Sequence, residues 1–151
     1  MTQQLAPANA DRIAAVLDSL NLKYFRGEAG DIRTAFPGLA VFLEEQPEGF
    51  KASARWMAVL EEPKDIYALR LKANEMNRFL PLVRVHAVQR EDNTAVAIIE
   101  APFFATDGFT DEQLSNMIEY FFSAIHHTAD VMRKQFPHVE EMLPGDDNEE
   151  A

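Results

Sequence analysis

TDEQLSNMIEYFFSAIHHTADVMRKQF, from Thr110 to Phe136, decides the fold class of this chain. Thr110 and Gln113 stand at the spacing of a capping box: the threonine side chain accepts from the Gln113 amide while the glutamine side chain reaches back to the Thr110 amide. Behind that start, Leu114, Met117, Ile118, Phe121, Phe122, Ile125, Ala129, Met132 and Phe136 keep helical phase. One long helix with a broad apolar stripe follows, and the stripe needs a partner surface. The residues just before it supply one. Leu82 to Gln89 and Thr94 to Ala101, rich in Val, Ile and Ala, read as two strands of a hairpin joined by a polar loop around Glu91-Asp92-Asn93. If those three residues form the loop, with Asn93 left-handed, Arg90 faces Thr94, Arg84 faces Glu100 and Val85 pairs with Ile99. A two-residue turn at Asp92-Asn93 would instead set Glu100 against Val85 and mix the two faces.

Working further outward, Pro81 ends a second helix that runs from Lys64 to Phe79 after Pro63, with Ile66, Leu69, Ala73 and Met76 on one side. Before it, Phe50 to Leu60 reads as a strand whose even positions, Phe50 to Leu60, are all apolar, and its alanines would let a helix lie close. Shorter extended pieces precede it, Lys23 to Arg26 and Ile32 to Glu44, the latter interrupted by Pro37-Gly38, which suits an edge, a bulge or a turn. A first helix spans Ala10 to Leu20 behind an Asn9 cap, and Asn21 supplies the left-handed residue that stops it. The order is α-β-β-β-α-β-β-α. An α+β fold is expected, an antiparallel sheet of about five strands with helices packed on it. The boundaries are a flexible N-terminus at 1–9, a single domain at 10–139 and an acidic mobile tail at 140–151.

A chain of 151 residues suits one core, and eleven Phe residues supply the bulk to fill it. The 14 Lys+Arg against 25 Asp+Glu give a formal charge of -11, a field that repels nucleic acid and anionic membranes. The absence of Cys removes disulfides and thiolate chemistry. With no signal-peptide pattern and no run of about 20 apolar residues, the expected location is the cytoplasm.

Asn74-Glu75-Met76-Asn77-Arg78 followed by Pro81 and Val83-Arg84-Val85, together with Gly108-Phe109-Thr110-Asp111-Glu112-Gln113-Leu114, resembles the YbjN-domain family over roughly Ala10 to Pro137. The resemblance implies a fold similar to type III secretion chaperones, in bacterial proteins often labelled sensory transduction regulators. It carries no catalytic residues over, and the label names no reaction.

Chemistry is thin elsewhere. His126 and His127 are neighbours on a helix, about 100° apart, and cannot chelate one ion together as an i,i+4 pair would. The acids cluster at loops and helix starts, and no phosphate loop or nucleophile elbow is present. No catalytic, cofactor or metal residues are assigned, and the protein is expected not to be an enzyme. Two faces of the sheet remain to be covered. Val83, Val85, Ala87, Ala97, Ile99 and Ala101 form one side; Leu82, Val88, Val96 and Ile98 lie beside Arg84, His86 and Glu100 on the other, extended by Met57 and Val59 if their strand joins the sheet. The expected function is a protein-binding or chaperone-like regulatory adaptor, with a protein partner or a homodimer mate held through Met57, Val59, Arg84, Val88, Val96, Ile98, Tyr120 and Val131. The alternative is a small-molecule-sensing domain with a ligand at Arg55, Trp56 and Asn77.

Overall fold

The first helix begins where a side chain can replace a missing backbone partner: Asn9 accepts from the Arg12 amide at 2.9 Å. It ends at Asn21, whose φ of 60° is the left-handed stop, with the Leu22 amide turned back to Leu17 at 3.0 Å. The computed structural model describes residues 4–142. Its elements are α1 (Ala10–Ser19), β1 (Phe25–Arg26), β2 (Ile32–Phe36), β3 (Leu39–Gln46), β4 (Gly49–Leu60), α2 (Pro63–Asn77), β5 (Arg84–Gln89), β6 (Ala95–Phe104) and α3 (Asp111–Gln135).

All strands pair antiparallel in one six-stranded sheet, ordered β1-β2-β3-β4-β6-β5. Six strands stand where about five were expected, because Pro37-Gly38 is a turn: Gly38 takes φ 76° and Phe36 pairs directly with Leu39. The β5–β6 hairpin has the longer loop. Asn93 sits at φ 68°, Arg90 bonds Thr94, and Arg84 faces Glu100 with Val85 on Ile99.

One face of the sheet is the core. Leu39, Trp56, Ala97 and Ala87 form one row across β3, β4, β6 and β5; Val41, Ala54, Ile99 and Val85 form the next. All but Ala87 are buried. The small Ala54 and Ala97 leave room for α3, whose Ile118, Phe121 and Ile125 join the same cluster together with Ile13 and Leu17 of α1. The α3 start closes with both bonds of its capping box, 3.1 Å from the Gln113 amide and 2.9 Å from the Thr110 amide.

Helix α2 lies along the free edge of β5 and closes part of it. The Asn77 side chain accepts from the Val85 amide at 2.7 Å and donates to the Val85 carbonyl at 2.9 Å, so a carboxamide stands where a neighbouring strand would. Arg70 donates to the Gln89 side chain at 2.6 Å further along.

The described residues are tied down at both of their ends. Ala6 bridges Phe109, and Ala8 is buried. After α3, the Phe136 ring enters the core, and Glu141 forms a bridge with Ala58. Its carboxylate accepts from the Trp56 indole and the Arg133 guanidinium, each at 2.6 Å. Residues 143–151 of the acidic tail, and residues 1–3, lie outside the described residues. Partial burial pushes the Glu141 carboxyl up, but the hydrogen bonds from Arg133 and Trp56 outweigh it and hold the group below the usual glutamate range. Its bonds therefore stabilise the fold above the ordinary glutamate pKa and are lost as pH falls through the depressed one. In urea unfolding, wild type is expected to exceed Glu141→Gln in stability at neutral pH, with the gap closing in acid below the usual glutamate range. A gap that does not change with pH would show that the charge of Glu141 plays no part.

Candidate functional site

The second face of the sheet is built by the residues that alternate with the core. Strand pairing sets Phe25, Arg33, Phe42, Ser53, Glu100 and Arg84 in a single row across all six strands. The adjoining row holds Ala35, Ala40, Arg55, Ile98 and His86. Among the described residues no helix packs here: α1 and α3 join the core on the opposite face, and α2 follows the β5 edge.

Its electrostatics differ from those of the chain as a whole. Arg33, Lys51, Arg55 and Arg84 stand against Glu44 and Glu100, on a protein whose totals are 14 basic and 25 acidic side chains. Glu100 sits between Lys51 at 3.3 Å and His86 at 3.6 Å. Arg33 pairs with Asp31 at 2.8 Å and lies over the Phe42 ring at 5.3 Å. Interleaved with these charges are apolar side chains in contact with water. Phe25 is 61% exposed, Val88 41% and Phe104 67%, while Phe42 and Ile98 are half-buried. A face with this mixture can hold a protein surface through both charge pairing and apolar contact.

Arg84, Val88 and Ile98 lie on this face together, with Val96 opposite Val88. Val96 and Met57 are nearly closed to solvent, which leaves the accessible part to their neighbours. Val59 lines a separate cleft of about 440 Å³ with Asp65 and His138. Tyr120 and Val131 belong to another surface. The Tyr120 hydroxyl donates to the Pro81 carbonyl at 2.6 Å, and Val131 borders a shallow cleft with Met76, Phe79 and Leu80. The partner-binding set is thus divided among the sheet face, the cleft at Val59 and the seam of α2 with α3.

Arg55, Trp56 and Asn77 do not meet in one cavity. Trp56 points into the core, 1% exposed, with its ring 6.2 Å from that of Phe136. Arg55, its neighbour along β4, necessarily points to the other face. Asn77 is bonded to β5.

The histidines are dispersed. His126 Nδ1 bonds the Phe122 carbonyl at 2.7 Å and its ring meets Phe36 at 4.6 Å. His138 pairs with the largely buried Asp65 at 2.9 Å. Among the described residues no group of three or more His, Cys, Asp or Glu is placed to hold a metal ion, and no helix is long and apolar enough to cross a membrane.

Sequence reasoning missed Phe25, Arg33, Phe42 and Lys51 as members of this face. The alternation of Ile32, Thr34 and Phe36 with Arg33 and Ala35 was the available signal, but only the successive pairing of β2, β3, β4 and β6 sets Arg33 and Phe42 in the row that holds Glu100.

Residues 9–134 match the family model YbjN, described as "Putative bacterial sensory transduction regulator". No curated protein matches the chain. Among solved structures, the chain is similar to the crystal structure of YbjN, "a putative transcription regulator from E. coli", with a TM-score of 0.74 and 14% identity. That likeness covers 91% of this chain and 99% of the other, and at this identity it is a likeness of fold.

Proposed function

The chain belongs to the YbjN family, and from that premise we propose that it is a non-enzymatic regulatory adaptor that binds protein through the outer face of its sheet. The observation that carries this reading is a face that no helix covers among the described residues, crossed by the row from Phe25 to Arg84 with exposed aromatic and aliphatic side chains among paired charges. An antiparallel sheet with one face in water normally alternates apolar and polar positions more cleanly. The partner is a protein in the cytoplasm, with a second copy of this chain as one such partner; the net charge of -11 disfavours nucleic acid and anionic lipid. With strands of 2 to 12 residues rising about 3.3 Å per residue and set about 4.8 Å apart, the face offers roughly 700 Å² of projected surface, close to one partner's share of a standard-size interface.

Ile98 lies within the face between Arg55 and His86, and a carboxylate there would replace apolar contact with a charge that docking must strip of water. Sedimentation of the wild type at micromolar concentration, alone and with proteins recovered from lysate, is expected to show association that Ile98→Glu abolishes. A wild-type monomer at high micromolar concentration that recovers no partner would remove this reading.

A further inference from the structure

β5 is an edge strand, so alternate peptide groups along it face away from β6. Val85 is one of them, and the Asn77 carboxamide takes both its N–H and its carbonyl. Ala87, two residues on with unbroken pairing to β6, directs its own N–H and carbonyl to the same side. No described residue bonds them. They open into a cleft of about 290 Å³ between β5 and α2, bordered by Arg70, Ala73 and Asn74.

The geometry explains why α2 leaves this position open. Moving from Asn77 to Asn74 advances about 4.5 Å along a helix, whereas moving from Val85 to Ala87 advances about 6.6 Å along a strand, so the second asparagine falls out of step. The buried residue across the gap is Ala73, too small to fill it. What remains is a donor and an acceptor side by side, with a guanidinium at the margin.

We propose that this cleft binds the end of an acylated amino acid: an amide N–H followed one carbon later by a carboxylate. The amide N–H donates to the Ala87 carbonyl. The carboxylate accepts from the Ala87 N–H and from Arg70, which exchanges its bond to Gln89 for a charge-assisted one. This is one rung of antiparallel pairing, the same two bonds that Asn77 makes at Val85, with a charge added. The chemistry is shared by a free N-acyl amino acid and by the C-terminal residue of a polypeptide. It is independent of the sheet face and of what docks there.

The test is titration of the ¹⁵N-labelled full chain with N-acetylglycine, followed at the Ala87 amide. A saturable shift is expected, about tenfold weaker for N-acetylglycinamide, which lacks the charge, and about tenfold weaker in Arg70→Gln. Acetate, which lacks the amide, is expected to bind more weakly than N-acetylglycine. Ala87→Pro removes the donor, and the reporting amide with it, at an outward-facing edge position where proline is tolerated; followed at the neighbouring His86 and Val88 amides, the saturable response of the wild type should be abolished, and if the variant does not fold, Arg70→Gln decides alone. N-acetyl-Ala-Ala-Gly separates the sources: tighter binding than N-acetylglycine assigns the site to a polypeptide end, and equal or weaker binding assigns it to a free acid. No saturable shift at Ala87, or N-acetylglycine affinity unchanged in Arg70→Gln, would overturn the proposal.

Discussion

Phe50→Ala is expected to lower the stability of the protein by about 3–5 kcal/mol, the range for truncating a fully buried phenylalanine. Phe50 is 0% exposed at the start of β4, with its ring stacked on Phe103 at 4.9 Å and edge-on to Phe109 at 5.7 Å. Phe103 lies in the last pleat of β6 and Phe109 directly precedes the cap of α3, so the Phe50 ring joins β4 and β6 to the start of the longest helix. Removal leaves a cavity that neither neighbour can fill without moving backbone. Denaturant unfolding measures the loss; a value under about 1.5 kcal/mol would mean that the three-ring cluster closes up around the gap.

The second large effect lies next door. Gly49→Ala places a Cβ 1.9 Å from the Phe103 carbonyl oxygen, well inside any real contact, and the obstructing atom is backbone in a paired strand. Relief requires β4 and β6 to part where Gly49 pairs with Phe104, and the Ala105 amide bond to the Glu48 carbonyl at 2.8 Å would go with it. A loss of about 3 kcal/mol is expected, with faster hydrogen exchange at the Ala105 amide. Unchanged exchange there would show that the strain is relieved elsewhere.

The sequence was most readable where local chemistry alone decides the outcome. Thr110 and Gln113 cap a helix wherever the chain places them, and Asn21 and Asn93 adopt left-handed backbone at little cost, so helix ends and the hairpin loop could be read directly. The pairing of Arg84 with Glu100 followed from that loop and from keeping apolar side chains on one side. What could not be read was decided by distant partners. Nothing near Asn77 says that its side chain will stand in for a strand beside Val85. Leu82 takes φ 67°, a conformation its side chain does not favour, so its sequence gave no sign of it. Trp56 could have been a ligand platform or core; the deciding group is Glu141, 85 positions away. The outer face was half visible for the same reason: β5 and β6 are neighbours in sequence, whereas Arg33 and Phe42 reach Glu100 only through β4.

The place of β4 in the sheet also governs how the chain reaches its native state. β2, β3 and β4 form one locally connected meander, and β5 with β6 forms a separate hairpin. The two units meet only when β4 pairs with β6, after residues 61–94 have been made and the loop between them has closed. Such non-local pairing belongs to folding in milliseconds to seconds. Until it happens, the twelve-residue β4 is an open edge with Phe50, Trp56 and Leu60 on its apolar side. On the ribosome, a nascent chain that has not yet presented β6 carries its greatest aggregation hazard in the strand that later lies deepest in the sheet.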